Sequence, residues 1–240
     1  FSSRVENYIK YRPRYPLEII DFMKDISILS TNSVIADIGS GTGILSELLI
    51  KNGKRVYGVE PNAEMRIAAE KILRKYPNFV SINGSAENTG LQEDSIDLIT
   101  AGQSFHWFNL EQARKEFKKI LKSEGYVAII WNNRRKSGKG FSSQYEKLVS
   151  KYGTDYKVVR RLETKIDDFF CYKRKLFYNY QDLNFDGLKG RLLSASYIPL
   201  TRDQNNELML ENLRIIFDEN QQDGKVRIEY DTEICYGQLD

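Results

Sequence analysis

The feature that most constrains this chain is a glycine-rich loop between a short apolar run and an amphipathic segment. The run Val34–Ile38 leads into Gly39-Ser40-Gly41-Thr42-Gly43, and apolar residues then recur at helical spacing as far as Ile50. Glycines let the backbone approach a ligand without a side-chain clash, and the N-terminus of the following helix offers unpaired N–H groups. The pattern predicts a ligand site at the first strand-to-helix turn of an α/β fold.

Strand and helix patterns alternate after this loop. Further strands are predicted at 55–60, 79–82, 95–101 and 126–131, with a turn at Glu124-Gly125, and helices at 44–50, 61–73 and 110–121. The tail adds a strand at 174–180, helices at 186–196 and 205–219, and a strand from 225 towards Tyr236. The sequence therefore predicts a doubly wound, seven-stranded, mostly parallel sheet.

The remaining segments lie outside this regular alternation. Residues 1–32 form an entry segment that contains Pro13 and Pro16. Within it, a short amphipathic helix is predicted after Pro16. Residues of about 134–175 are helical and mixed in pattern, which predicts an inserted helical cap. We expect residues 1–240 to form a single domain, since its size suits one domain of the larger kind.

Composition excludes several classes of function. Two cysteines, Cys171 and Cys235, provide neither a disulfide framework nor zinc-site spacing, and the single histidine excludes a multi-histidine metal centre. We therefore expect no metal. No apolar run approaches the ~20 residues that span a bilayer, and the start shows no signal-peptide pattern, so we expect a cytoplasmic protein without a membrane partner. The net charge of +3 neither requires nor excludes a polyanionic partner.

The residues around the glycine loop distinguish three kinds of cofactor. A phosphate-binding P-loop needs Gly-Lys-Ser/Thr, whereas Ile44 follows Gly43; a dinucleotide fingerprint would need its third glycine at position 44. Glu60 ends the second strand, where a carboxylate can accept both ribose hydroxyls of a nucleoside. Asp37 beside the loop would repel a pyrophosphate and suits an ammonium group. S-adenosylmethionine has the ammonium and the ribose and carries no phosphate.

These residues also carry a family resemblance. Four segments, in order, resemble class I S-adenosylmethionine-dependent methyltransferases: Val34 to Gly43, Glu60-Pro61, Gly84 to Glu87, and Gln103 to Phe108. The likeness is closer to the type 11-like small-molecule group that includes trans-aconitate methyltransferase. The entry segment Tyr8 to Pro16 and the tail segments Gly190 to Pro199 and Tyr230 to Thr232 are also similar to that group.

The resemblance implies roles for individual residues. The loop, through Asp37, Gly39, Ser40, Gly41 and Gly43, would hold the methionine end, with Glu60 on the ribose. Pro61 and Met65 would lie near the adenine, Ser85 and Ala86 at its edge, and Glu87 would hold the loop. The backbone of Gln103 would lie beside the sulfonium, and Tyr8 or Arg12 could close over the methionine carboxylate. Many family members have Asp at the position of Ser85, so this chain departs from carboxylate recognition of the adenine.

His106, which the sequence places after the fourth strand, is the candidate catalytic residue. It titrates near neutrality when unperturbed, and it could act as a general base, orient an acidic substrate, or cap the helix at 110. Trp107 and Phe108 would form the aromatic wall of a substrate pocket, because a sulfonium attracts π faces much as an ammonium does. A purely structural role, with both rings packed under the cap, is an equal alternative.

Basic residues of the cap raise a second alternative, an RNA or protein substrate. They are Arg134, Arg135, Lys136, Lys139, Lys157, Arg160, Arg161, Lys173, Arg174 and Lys175. Because acids alternate with them, a solvated face is favoured and a nucleic-acid partner is disfavoured. We therefore expect methyl transfer from S-adenosylmethionine to a small molecule, with a carboxylate among the fitting acceptors and S-adenosylhomocysteine as product. A non-catalytic cofactor-binding module is the third alternative, and the sequence does not predict the oligomeric state.

Overall fold

The structure is a computed structural model that describes residues 2–52, 55–135, 140–154, 166–198 and 204–239. Much of the predicted cap, at 136–139 and 155–165, lies outside the described residues, and so do its basic residues Lys136, Lys139, Lys157, Arg160 and Arg161. None of the described helices is both long and apolar enough to cross a membrane.

Strands and helices alternate through the first half of the chain. The strands are β1 (Val34–Ile38), β2 (Arg55–Val59), β3 (Phe79–Ile82), β4 (Ile96–Gly102), β5 (Leu121–Arg134), β6 (Lys173–Leu183) and β7 (Val226–Gly237). The helices are α1 (Ser2–Tyr11), α2 (Glu18–Asp25), α3 (Ile44–Ile50), α4 (Ala63–Leu73), α5 (Leu110–Ile120), α6 (Phe141–Tyr152), α7 (Phe185–Leu193) and α8 (Gln204–Asn220). A short 3₁₀ helix covers Phe105–Trp107.

The seven strands form one sheet in the order β3-β2-β1-β4-β5-β7-β6. The pairs β1–β2, β1–β4, β2–β3 and β4–β5 are all parallel. The strand order reverses between β1 and β4, and such a switch point opens a crevice at the carboxyl ends of the strands. The glycine loop after β1 and the segment after β4 both begin at this edge. The predicted seven-stranded, mostly parallel sheet is confirmed.

One boundary in the sheet was predicted wrongly. Glu124-Gly125 lies inside β5 and is not a turn before it. Ile96 pairs with Leu121 and Leu98 already pairs with Tyr126, so the extra residues of β5 form an irregularity in the ladder. A bulge carries glycine and polar residues as a turn does, which explains why the sequence predicted a turn.

The chain divides into two compact units, each with its own core. The larger comprises the described residues within 14–132, 163–177 and 232–240. Its strands alternate between two apolar clusters: Ile35, Leu98 and Ala128 pack with α2 and α3, whereas Ala36, Ile99 and Val127 pack with α5 and the Phe169 region. This alternation buries both faces of the parallel strands, as a doubly wound sheet requires.

The smaller unit comprises the described residues within 1–13, 133–162 and 178–231. Its core joins α6, α7, α8 and β7 through Tyr145, Leu188, Leu213 and Tyr230. The helices and the last strand of the tail lie where they were predicted. Helix α1 was not predicted, because the prolines of the entry segment do not indicate a helix before them. The expectation of one domain with an inserted cap stays a prediction.

Candidate functional site

The glycine loop lies directly after β1, and each of its three glycines has a left-handed backbone. The φ angles are +65° at Gly39, +57° at Gly41 and +82° at Gly43. Gly39 N and Ser40 N donate to the carbonyl of Val59, which ties the loop to the end of β2. Gly43 then precedes α3 as its N-terminal residue. Glycine adopts this backbone without the cost that other residues pay, so the residue type and the loop shape agree.

The three glycines meet different surroundings. A Cβ on Gly39 would lie 2.5 Å from Cβ of Ser104, and one on Gly43 would lie 2.8 Å from Cδ1 of Leu73, so these two glycines also permit close packing. No atom of a described residue lies within 4 Å of the position that a Cβ on Gly41 would take. Gly41 is therefore the point at which a ligand can approach the loop backbone.

Glu60 lies beside Gly41 at the end of β2. Its Oε2 accepts from Gly41 N at 2.9 Å and its Oε1 from Asn62 N at 2.8 Å, and the residue is buried. Each carboxylate oxygen has a second lone pair, so both can still accept a hydroxyl donor. Glu60 is thus held rigidly beside the open space at Gly41, in the position predicted for a ribose ligand.

Asp37 lies beneath the loop and is almost completely buried. Its Oδ2 accepts from Ser46 Oγ at 2.6 Å and its Oδ1 from Thr100 Oγ1 at 3.1 Å. Burial raises the pKa of this carboxyl to about 6, although the two hydroxyl donors oppose the shift. The neighbouring charge of Glu60 adds to the increase. A cation bound near the loop would lower this pKa again, which couples ligand charge to the protonation of Asp37.

Buried polar atoms near the crevice provide a test of whether a polar ligand fits. Thr42 Oγ1, Gln103 Nε2 and Trp131 Nε1 are buried and have no hydrogen-bond partner among the described residues. Gln103, directly after β4, also has a left-handed backbone with φ of +59°, and its N–H donates to the carbonyl of Ile130. Unsatisfied donors and a strained non-glycine residue are uncommon away from functional sites. The residues present therefore fit a polar cofactor here.

The loop after β3 supplies the residues predicted for the adenine. Ser85 Oγ accepts from Glu87 N at 3.3 Å, and Ala86 is buried in the core. Glu87 Oε1 accepts from Asn109 N at 2.8 Å, so it ties this loop to the start of α5. Burial opposes ionisation of Glu87, yet these hydrogen bonds lower its pKa. Of the two residues predicted near the adenine, Pro61 is exposed and Met65, in the first turn of α4, is half-buried.

The segment after β4 separates the three predicted pocket residues. His106 is half-buried, and its ring is tilted by 44° against the Trp107 ring with centroids 4.8 Å apart, while Trp107 is 63% exposed. Phe108 packs against Phe105 and lies close to Gly39. Asn109 caps α5 by accepting from Gln112 N, so the expectation that His106 caps this helix is wrong. The roles of His106, Trp107 and Phe108 in catalysis or substrate binding stay predictions.

Tyr8 and Arg12 belong to the smaller unit. The Arg12 guanidinium lies 4.7 Å from the centre of the Tyr8 ring, and its Nη2 donates to the carbonyl of Ser194 at 2.8 Å. The expectation that either residue closes over a methionine carboxylate stays a prediction.

Several residues that shape the site were missed from the sequence. Ser46 and Thr100 hold Asp37, and Ser104 Oγ donates to the carbonyl of Ile38 at 2.7 Å. The parallel register pairs Asp37 with Thr100, so a correct strand order would have identified Thr100. Ser46 lies one turn into α3 and could have been found from helical spacing alone.

Comparisons with known proteins agree with this geometry. Residues 36–129 match the family model described as a methyltransferase domain. An uncharacterized methyltransferase-like protein of Schizosaccharomyces pombe is 34% identical over 135 residues, which are 56% of this chain and 52% of that protein. A candidate type II methyltransferase from Anaeromyxobacter dehalogenans has a TM-score of 0.71 at 19% identity, over 95% of this chain and 98% of its own. A candidate S-adenosylmethionine-dependent methyltransferase from Methanococcus maripaludis has a TM-score of 0.52 at 22% identity, over 73% of this chain and 86% of its own.

This chain spans about half the length of the curated relatives that it matches first. The two solved structures are distant in sequence and show the fold, which is the Rossmann-like methyltransferase fold. Residues 36–129 thus match a methyltransferase-domain model within a chain that has the Rossmann-like methyltransferase fold.

Proposed function

We propose that this protein transfers the methyl group of S-adenosylmethionine to a small-molecule acceptor and releases S-adenosylhomocysteine. The observation that carries the proposal is the open space at Gly41, bordered by the fixed carboxylate of Glu60. The methyltransferase-domain match covers the residues that build this space. When bound, the cofactor supplies a methyl group that its positive sulfur already activates, so the protein mainly has to align the reactants and exclude water.

The loop residues divide the cofactor between them. Glu60 accepts the ribose hydroxyls, while Gly39, Ser40, Gly41 and Gly43 present backbone to the methionine end. Asp37, below the loop, favours the ammonium group through its charge. Pro61, Met65, Ser85 and Ala86 surround the adenine, and Glu87 holds their loop against α5. Gln103 offers its strained backbone and its buried amide to the sulfonium end.

The acceptor lies, in this proposal, against His106, Trp107 and Phe108. A carboxylate oxygen fits as the nucleophile because it needs positioning but no base. A phenol or an amine needs a proton acceptor, and His106 is the candidate general base. The exposed Trp107 face is available to an acceptor or to the sulfonium. This acceptor class agrees with the sequence likeness to the small-molecule group that includes trans-aconitate methyltransferase.

Three described arginines of the predicted cap favour a small molecule over a polymer. Arg134 pairs with Glu146 at 3.0 Å, Arg135 with Asp231 at 2.7 Å and Arg174 with Glu233 at 3.2 Å. Cations that are already paired contribute little to phosphate binding, because binding a phosphate would first break the existing pair. An RNA or protein substrate is therefore the weaker candidate.

Calorimetry on the purified chain tests the cofactor part of the proposal. S-adenosylmethionine and S-adenosylhomocysteine should each bind at one site, and NAD should not. Glu60→Gln should weaken both by about tenfold or more, since a buried carboxylate that accepts two hydroxyls contributes a few kcal/mol. The control Glu70→Gln alters a surface carboxylate that accepts from Ser81, and this variant should bind both compounds normally. No heat with either sulfur compound would refute the proposal.

Product formation tests the catalytic part. A panel of carboxylates, phenols and amines should yield S-adenosylhomocysteine with at least one acceptor, detected by mass spectrometry. Tight cofactor binding without any product across the panel would favour a non-catalytic cofactor-binding module.

A further inference from the structure

The smaller unit contains a cluster of arginines and tyrosines that the proposed function does not use. Arg191, in α7, is 5% exposed and Tyr145, in α6, is 2% exposed. Arg191 Nε donates to Tyr230 Oη at 3.3 Å, and Arg12 Nη2 donates to the carbonyl of Ser194, three residues beyond Arg191. The Arg134 guanidinium lies 5.1 Å from the centre of the Tyr145 ring.

The cluster holds buried donors without acceptors. Arg12 Nε, Arg191 Nη1 and Tyr145 Oη are all buried and have no hydrogen-bond partner among the described residues. Neither Arg12 nor Arg191 forms an ion pair with any described residue, whereas Arg134 pairs with Glu146. Buried guanidinium groups are almost always paired, because removing such a charge from water is costly. Among the described residues, Arg12 and Arg191 therefore have no carboxylate partner.

The electrostatics point the same way. Burial and then the positive charge of Arg191 lower the pKa of Arg12. Burial opposes ionisation of Tyr197, yet Arg134, Arg191 and Arg12 together lower the pKa of its phenol. The three cations therefore create one region of positive potential, in which an anion would be stabilised.

A close contact between α1 and α7 places Arg12 near Arg191. A Cβ on Gly190 would lie 2.1 Å from the ring of Tyr11, so glycine is needed for α1 to contact α7 at this distance. Gln181 Nε2 also donates to the carbonyl of Tyr11 at 3.1 Å. Arg12 directly follows Tyr11 and Arg191 directly follows Gly190, so this contact holds the two guanidinium groups in neighbouring positions.

We propose that Arg12, Arg191 and Tyr145 form a binding site for the oxyanion group of a small ligand, a carboxylate or a phosphate. Guanidinium groups donate to such oxygens in pairs, and the Tyr145 hydroxyl adds a further donor. The site does not depend on the proposed methyl transfer. Its ligand is the carboxylate or phosphate group of a small molecule other than the cofactor.

Calorimetry with the full chain tests the site and distinguishes a separate ligand from the cofactor. The probes are malonate, inorganic phosphate, S-adenosylhomocysteine and 5′-methylthioadenosine, which has the nucleoside but no amino-acid tail, all at constant ionic strength. We expect malonate or phosphate to bind saturably. Arg191→Gln and Arg12→Gln should each weaken that binding about tenfold or more and leave the affinity for S-adenosylhomocysteine unchanged. If both variants instead weaken S-adenosylhomocysteine and leave 5′-methylthioadenosine unchanged, the proposal of a site separate from the cofactor is overturned.

Two further variants keep the test decisive. Tyr145→Phe removes one hydroxyl from a buried ring and should fold even if Arg191→Gln does not; it should weaken the same probe several-fold. Arg227→Gln is the matched control, since Arg227 is an exposed arginine of the same unit that pairs with Asp182 at 2.7 Å. The proposal is overturned if no probe binds differently to the Arg12 and Tyr145 variants than to the control.

Discussion

The raised pKa of Asp37 makes the stability of the folded protein depend on pH. Its pKa is about 6 in the folded protein against an ordinary 3.8, so the folded state keeps a proton that the unfolded chain has released. The free energy of unfolding should therefore fall as pH rises from about 4 to about 6, by on the order of 3 kcal/mol. Asp37→Asn should remove this slope, whereas Asp21→Asn, on the exposed side of α2, should retain it. Urea unfolding between pH 4 and 8 measures the effect.

The same carboxyl should make cofactor affinity depend on pH. Because an ammonium group favours ionised Asp37, affinity for S-adenosylhomocysteine should fall as pH drops below about 6. Asp37→Asn should bind more weakly at pH 8 and lose this dependence. Identical pH profiles of Kd in the two proteins would show that Asp37 does not act on the ammonium group.

A substitution at Gly41 can show whether the ligand contacts this residue, because Gly224 provides a control with the same backbone strain. Gly41→Ala and Gly224→Ala each place a side chain at a left-handed position with no described atom within 4 Å, so each should cost about 1–2 kcal/mol of stability. Only Gly41→Ala should also weaken S-adenosylhomocysteine binding, by about tenfold, because its methyl group occupies the ligand's space. Equal cofactor affinity in the two variants, measured by calorimetry, would contradict the placement of the ligand at Gly41.

The role of His106 can be tested by measuring kcat and cofactor Kd separately. If His106 is the general base, His106→Ala should lower kcat by about 10²-fold or more with little change in cofactor Kd. The control Trp107→Ala alters the neighbouring aromatic ring and should affect KM more than kcat. An unchanged kcat in His106→Ala would remove this residue from the mechanism and favour a carboxylate acceptor.

At the scale of elements, prediction succeeded where the local sequence determines structure. The bounds of β1, α3 and β3 match to the residue, because apolar runs end at glycine or asparagine signals. Helix α1 was not predicted, because Pro13 and Pro16, which follow it, are the strongest local signals of the entry segment. The partners of Asp37 and the arginine cluster depend on which segments meet in space. Arg12 and Arg191 are far apart in sequence, so no local pattern indicates their proximity.

The contact of α1 with α7 is testable by one substitution. Gly190→Ala puts a Cβ 2.1 Å from the Tyr11 ring and should displace α1, so amides of residues 5–11 should exchange faster with deuterium. Gly187→Ala is the matched control in the same helix, where the nearest atoms would lie at 3.2 Å and small shifts can absorb the methyl group. The gain in helix propensity of up to about 1 kcal/mol should offset its cost. Unchanged exchange in Gly190→Ala would contradict the close contact.

Across the whole chain, the pairing of basic with acidic side chains favours a small acceptor over a polymer. Lys and Arg number 36 against 33 Asp and Glu, and described cap cations such as Arg135 are paired. We therefore expect the chain to bind a hairpin RNA only at low salt, with a shallow dependence of log K on log salt. Asp231→Asn with Glu233→Gln frees Arg135 and Arg174, and should strengthen that low-salt binding. Tight binding by the unmodified chain at physiological salt, with a slope of several ions in a fluorescence-anisotropy titration, would instead favour an RNA substrate.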